Sequence, residues 1–192
     1  MIILTNPKVS IVVLNWNGKE DTEECLNSLK KLNYDNYNII VVDNGSVDGS
    51  VEHLSNLFPE VNFFKNPINY GFAEGNNIGM KKALEEHAEY VLLLNNDIVV
   101  DSELINELLN TAKLSEDIAV IGPKIYNYYD EKKIESAGFI LKPLQAKTMP
   151  IGYKETDFGQ YDKDREVSFI PGGAMLINTN CLKNSDIYIR KY

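Results

Sequence analysis

The sequence predicts an α/β fold, with a mostly parallel central sheet, helices on both faces and a smaller irregular or antiparallel C-terminal part. Three observations predict it. Short β-branched runs alternate with amphipathic segments over residues 10–126, the pattern that builds βαβ units. The first two runs are separated by close to the roughly 30 residues of one such unit. The run Tyr90–Val100 (YVLLLNNDIVV) holds four consecutive large apolar residues, Val91 to Leu94, which suits a strand covered on both faces. A length of 192 residues fits one domain with a core that stands without staples. Residues 1–126 read as its regular α/β part and 127–192 as a second, less regular part.

In chain order, Ser10–Leu14 (SIVVL) is the first strand, ending at Asn15-Trp16-Asn17-Gly18. A helix follows with Cys25, Leu26, Leu29 and Leu32 on one face. Asn38–Val42 (NIIVV) is the second strand, ending at Asp43. Asp43-Asn44-Gly45-Ser46 opens a turn-rich loop into a helix carrying Val51, Leu54 and Phe58. Val61–Lys65 is a third strand. The Gly/Asn-rich stretch from Asn66 to Asn77 is expected as a loop into a helix reaching about His87. After the Tyr90 strand, Asp101 or Ser102 caps a helix with Leu104, Ile105, Leu108 and Leu109 on its apolar stripe. Ile118–Ile121 begins a fifth strand, and Phe139–Leu141 is a short strand-like piece. Lys147–Arg165 is long, polar and turn-rich, and is expected as a mobile loop or lid. Gly172-Gly173 turns into a last strand, Ala174–Ile177.

Composition excludes several classes. Hydrophobic content of 44% and charged content of 24% are those of a soluble globular chain. A net charge of −9 offers no basic footprint for nucleic acid. Two cysteines, Cys25 and Cys181, give neither a disulfide framework nor a metal spacing, and Cys25 is expected as a buried free thiol. The N-terminus is too short for a signal peptide and no run reaches the roughly 18 apolar residues of a span, so a cytoplasmic location is expected. The first turn, Asn15-Trp16-Asn17-Gly18, lacks the G-x-G-x-x-G of dinucleotide-binding folds. The P-loop and G-x-S-x-G patterns are absent as well. His53 and His87 lie on expected helices with no nucleophile nearby in sequence.

Polar groups gather at the strand ends. Ligands of open α/β sheets bind beyond the carboxyl ends of the strands, and four loops should open there: at Asn15, at Asp43, at Asn69–Asn77 and at Asn96-Asp97. A single Asp at a strand end is an ordinary cap or turn residue; several acids and amides on one edge form a pocket. Asp43 could accept from a base or ribose. Gly71 and Gly75 would admit a ligand close to the backbone. Asn76 and Asn77, near a helix N-terminus, could donate to sugar or phosphate oxygens. Asp97 could hold a divalent cation that neutralises a diphosphate. The ligand these groups imply is a nucleoside diphosphate carrying something transferable.

The segments VSIVVLNWNG (Val9–Gly18), IIVVDNGSVDGS (Ile39–Ser50), NYGFAEGNNIG (Asn69–Gly79), YVLLLNNDIVV (Tyr90–Val100) and PGGAMLI (Pro171–Ile177) together resemble the family 2 glycosyltransferases of the GT-A fold, in particular their rhamnosyltransferase-like subset. The resemblance implies sugar transfer, with inversion, from a UDP- or dTDP-sugar to a glycan or lipid-linked acceptor, in cell-surface polysaccharide or glycoconjugate synthesis. It makes residues 1–126 the nucleotide-sugar-binding part and 127–192 the acceptor side. The donor-binding residues it implies are Asn15, Asn17, Asp43, Asn44, Ser46, Asn69, Gly71, Phe72, Asn76, Asn77, Asn95, Asn96 and Asp97. Asn95-Asn96-Asp97 occupies the place of the family's D-x-D motif, so Asp97 is the one carboxylate there for Mn2+ or Mg2+. Gly172 and Gly173 would line the acceptor side. The general base of the family is an acidic pair further downstream. Only Asn178–Tyr192 follow, with Asp186 their lone acid, so no catalytic base is assigned. A chain ending before its base motif leaves a non-catalytic nucleotide-sugar-binding remnant as the alternative. A nucleotidyltransferase is disfavoured, because its Gly-rich, Arg- and Lys-bearing first loop has no counterpart in Asn15–Lys19. The family is compatible with a homo-oligomer and with peripheral association at the inner face of the membrane.

Overall fold

The computed structural model describes residues 6–145 and 147–183. Its central sheet has six strands in the order β3-β2-β1-β4-β10-β5. These are β1 (Val9–Asn15), β2 (Tyr37–Asp43), β3 (Asn62–Lys65), β4 (Tyr90–Asn95), β5 (Val120–Ile121) and β10 (Ala174–Asn178). The first four pair in parallel, and β10 lies antiparallel between β4 and β5. The helices are α1 (Lys19–Leu29), α2 (Ser50–Leu57), α3 (Phe72–Glu85), α4 (Leu104–Ala112) and α5 (Thr179–Lys183).

The two-residue period of the strands decides which helix each side chain meets. Ile11, Val13, Val41, Leu92 and Leu94 pack on one face against Cys25, Leu26, Leu54, Ile105 and Leu108 of α1, α2 and α4. Val12, Ile40, Val42, Val91 and Leu93 pack on the other face against Met80 and Ala83 of α3. With both faces covered, the strands read as unbroken apolar runs. On its face α3 lies unusually close to the sheet. A Cβ at Gly75 would fall inside 3.0 Å of Leu14, and one at Gly79 inside 3.0 Å of Val12.

Four expectations change. α3 starts at Phe72, so Gly75, Asn76 and Asn77 are helical rather than loop. The glycines there serve helix-on-sheet packing, and Gly75 opens toward Leu14 instead of toward a ligand. The helix beginning at Leu104 is entered through Glu103, whose N–H donates to Asp101 Oδ1 at 2.8 Å. The central sheet draws β10 from beyond residue 127, so the regular part is not confined to residues 1–126.

The last change concerns Lys147–Arg165, which is tied down. The strands β6 (Ile125–Asn127) and β7 (Asp130–Ser136) form one antiparallel pair, and β8 (Phe139–Lys142) and β9 (Lys147–Pro150) form another. Thr156 bridges to Lys133, and Lys124 Nζ donates to Asp157 at 2.5 Å and to Asp162 at 2.6 Å. Paired backbone and a shared, largely buried cation hold this segment as part of a folded layer. Among the described residues no helix is long and apolar enough to cross a membrane.

Candidate active site

Parallel pairing places Asn15 opposite Asp43 and Leu14 opposite Asn95, so the ends of β2, β1 and β4 stand side by side. Their side chains are joined by a continuous set of hydrogen bonds. Asn15 Nδ2 donates to Asp43 Oδ2 at 2.8 Å and to Ser50 Oγ at 2.9 Å, with Ser46 Oγ at 3.2 Å. Asn15 Oδ1 accepts from the Thr22 hydroxyl at 2.9 Å and from Gly18 N–H at 3.2 Å. Thr22 Oγ1 in turn accepts from Asn96 Nδ2 at 3.0 Å. One chain of bonds therefore runs from Asp43 through Asn15 and Thr22 to Asn96, the neighbour of Asp97.

These groups are buried and mutually satisfied. Asn15 is 1% exposed and Asp43 0%, and the second oxygen of Asp43 accepts the Ser46 N–H at 3.0 Å. Asn15 and Asp43 are sealed from solvent, with polar atoms paired inside the protein, and so tie together the loops at this edge. Asn44 is tied in the same way. Its amide nitrogen donates to Asn69 Oδ1 and Gly71 O, and its oxygen accepts from Asn66 Nδ2 and Tyr70 N–H, so it organises the loop before α3. Ser46 Oγ accepts from Asn17 N–H at 2.9 Å and is likewise buried. Asn76 is buried on α3, its amide bonded to Phe72 O at 2.9 Å.

The remaining expected residues lie at the rim. Asn17, with φ +50°, accepts from Val47 N–H at 2.9 Å and links the first two loops. Asn69, Gly71 and Phe72 are exposed at the start of α3, and Asn77 is half-buried one turn later. Gly71 takes φ +84°, a conformation that L side chains rarely adopt. The two glycines expected on the acceptor side, Gly172 and Gly173, are in the same place. Gly173 O accepts from Asn95 N–H at 2.8 Å, and a Cβ at Gly172 would lie 3.2 Å from the Phe72 ring. The turn into β10 thus wedges between β4 and the N-terminus of α3. Asp186 lies outside the described residues.

Sequence reasoning missed Thr22, Ser50, Asn66 and Gly45. Thr22, Ser50 and Asn66 are buried polar members of the network; a Thr one turn into the helix after the first loop was the available signal. Gly45 has φ +78°, and a Cβ there would fall 2.7 Å from the Ile68 carbonyl carbon. It lets the second loop lie against the one before α3.

Asp97 differs from its neighbours. It is exposed, and among the described residues its carboxylate accepts no protein hydrogen bond. No group of three or more His, Cys, Asp or Glu that could hold a metal ion forms among the described residues. Mg2+ and its like keep several waters and bind through one or two carboxylates plus substrate phosphates. An unpartnered carboxylate at a strand-end rim fits a cation that arrives with a diphosphate. Beneath it, the Cys25 thiol is pushed up to about 12 by burial and then by the charge of Asp97, so it stays neutral. A cavity of about 1050 Å3 lies elsewhere, between α4 and residues 161–171.

A family model for glycosyl transferase family 2 matches residues 10–184. The low-salt glycan biosynthesis hexosyltransferase Agl10 of Haloferax volcanii is 29% identical over 120 residues, covering 62% of this chain and 37% of its own. The cholesterol galactosyltransferase of Borreliella burgdorferi is 23% identical over 167 residues, 86% of this chain and 46% of its own. The chain spans less than half the length of these relatives. Among solved structures, S. aureus TarS in complex with UDP superposes with a TM-score of 0.67 at 19% identity, over 94% of this chain and 49% of that one. Mannosyltransferase PcManGT from Pyrobaculum calidifontis, in complex with GDP-Man and Mn2+, gives 0.62 at 14% identity, over 94% and 47%. The fold is that of GT-A glycosyltransferases.

Proposed function

The chain belongs to glycosyl transferase family 2, and from that premise we propose that it binds a nucleoside-diphosphate sugar at the carboxyl edge of β1, β2 and β4 and serves in transfer of the sugar to an acceptor hydroxyl. The observation that carries the reading is the hydrogen-bonded chain from Asp43 to Asn96, which fixes three strand ends and leaves Asp97 as the unpartnered carboxylate beside them. Two structural neighbours, solved in complex with UDP or with GDP-Man and Mn2+, support that class of donor.

The rim divides the work. Asn17, Asn69, Gly71 and Asn77 lie where base, ribose and diphosphate would be gripped, with the buried Asn15, Asp43, Asn44 and Ser46 holding their loops. Asp97 would hold Mn2+ or Mg2+, whose chemistry is to neutralise the charge that develops on the departing diphosphate. Asn95 and Asn96 set the turn that presents Asp97. Gly172 against Phe72, and Gly173 against Ile98 and Asn95, form the floor on the acceptor side, where the absence of Cβ atoms lets the turn into β10 pack close to the rim. Attack from the face opposite the leaving nucleoside diphosphate would invert the anomeric centre. Its proton goes to a general base that no described residue is assigned to supply.

Thermal unfolding with UDP, dTDP or GDP, each with and without Mn2+, tests the reading. A nucleotide at about a hundred times its dissociation constant stabilises by about 2.7 kcal/mol, a rise of about 5–11 °C for a chain this size. Asp97→Ala should abolish the metal-dependent part, and an unchanged metal effect in that variant removes Asp97 from the site. Release of nucleoside diphosphate on adding acceptor separates transfer from donor binding alone.

A further inference from the structure

The hairpin of β8 and β9 leaves its apolar side chains in water. Ile140, Leu141 and Met149 are each close to half exposed, and Leu144, in the 3-10 turn at the tip, is 103% exposed. The register sets Ile140 opposite Met149 and Lys142 opposite Lys147. Like charges directly opposite one another destabilise an antiparallel pair, so nothing within the hairpin rewards that pairing. Residues 139–150 contain no acid to offset the two ammonium groups, in a chain whose net charge is −9. The tip is a local reversal of both polarity and charge.

We propose that this hairpin docks the chain on an anionic lipid bilayer, seating Leu141, Leu144, Ile140 and Met149 among the headgroups with Lys142 and Lys147 against lipid phosphates. Exposed apolar side chains flanked by basic ones are the combination that holds a peripheral element at such an interface. The acidic body does not forbid it. Four residues of strand span about 14 Å, beyond the screening length of about 8 Å at physiological salt, so repulsion from the bulk of the chain is damped while the tip makes contact.

The hairpin is also firmly mounted. Phe139 and Phe169 pack edge to face at 5.7 Å, and Phe139 exchanges backbone hydrogen bonds with Ser168 and Phe169. Those residues lead directly into Pro171-Gly172-Gly173. A bilayer engaged at the tip is therefore tied to the turn on the acceptor side of the rim. The docking itself requires no nucleotide and stands apart from the donor reading.

The test is co-sedimentation of the whole chain with unilamellar vesicles of phosphatidylcholine, alone or mixed with phosphatidylglycerol. The chain should pellet with the anionic vesicles and not with phosphatidylcholine alone. Leu141→Ser/Leu144→Ser and Lys142→Glu/Lys147→Glu should each reduce the bound fraction by about ten-fold or more, with circular dichroism and melting unchanged. If either double variant fails to fold, Leu144→Ser alone, altering a side chain that lies wholly in water, carries the test. No pelleting with anionic vesicles, equal pelleting with both compositions, or variants that bind like the parent would each overturn the proposal. So would self-association that Leu144→Ser abolishes in the absence of vesicle binding, which would assign the patch to a second copy of the chain.

Discussion

Thr22→Val is the sharpest probe of how the site is held. The Thr22 hydroxyl is wholly buried and lies 2.7 Å from Gly18 O, 2.9 Å from Asn15 Oδ1 and 3.0 Å from Asn96 Nδ2. Valine keeps the shape and removes all three contacts. Asn15 Oδ1 retains the Gly18 N–H and Gly18 O retains the Thr22 N–H, so neither is orphaned. Asn96 is half-buried, and its amide can turn partly to solvent. The loss is then that of one or two net hydrogen bonds with little unsatisfied burial, about 1.5–2.5 kcal/mol. At about 2–4 °C per kcal/mol this lowers the melting temperature by about 3–10 °C. The second effect is local: without its tether, the Asn96-Asp97 turn no longer presents the carboxylate in one position, and Mn2+-dependent nucleotide affinity should fall by about ten-fold, or 1.4 kcal/mol. Calorimetric titration of the nucleoside diphosphate with and without Mn2+ separates the two effects, and Thr22→Ser, which keeps the hydroxyl, should restore the metal-dependent part. If Thr22→Val melts within about 1 °C of the parent and binds within about two-fold, the network is not what positions Asp97.

Other outcomes follow from single features. Gly79→Ala should destabilise by about 1–2 kcal/mol, because overpacking against the stiff Val12 side chain outweighs the roughly 1 kcal/mol gain in helix propensity; Gly75→Ala, facing the flexible end of Leu14, should be close to neutral in the same urea titration. The Asp157 carboxyl is lowered to about 2, first by the hydrogen bond from Lys124 and then by that from Tyr126. A depressed carboxyl stabilises the fold above its unfolded value and loses that contribution as pH falls toward 2. The stability difference between the parent and Asp157→Asn should therefore shrink between about pH 4 and pH 2, and a difference independent of pH would deny the ion pair. Cys25, raised to about 12, should resist a thiol reagent at pH 8 in the native chain and react on unfolding; rapid native labelling of Cys25 would contradict its burial. Its neutral thiol contributes fully below its unfolded value near 9, and that contribution is lost as pH rises toward 12.

What was legible in the sequence is what period and run length encode. Val91 to Leu94 announced a strand covered on both faces, and the alternation of strand and helix announced a mostly parallel sheet with helices on both sides. The start of α3 was not legible, since Gly and Asn between Asn66 and Asn77 read as loop. Their helicity depends on tertiary contact: Gly75 and Gly79 are small so that α3 can lie on Leu14 and Val12, and propensity carries no information about that. The insertion of β10 between β4 and β5, and the pinning of Lys147–Arg165 by Lys124, are long-range pairings of the same kind.

The site shows a deeper limit. Asn and Asp are the residues of turns, of caps and of ligand contacts alike, and which role each takes depends on whether its polar atoms find partners inside the protein. At this edge the choice divides by burial. Asn15, Asp43 and Asn44 are sealed and saturated with protein partners, while Asp97 is open and unpartnered. A buried, fully bonded network is rigid and costly to disturb, so substitutions among its members act on stability and on loop geometry together. At the rim, Asn17 and Asn69 also accept loop hydrogen bonds, so substitutions there act on loop geometry and on ligand contact together. Differences in donor preference among chains of this architecture should be written more at exposed rim positions such as Asn17 and Asn69 than at the sealed residues beneath them, whose hydrogen-bonding demands are stricter.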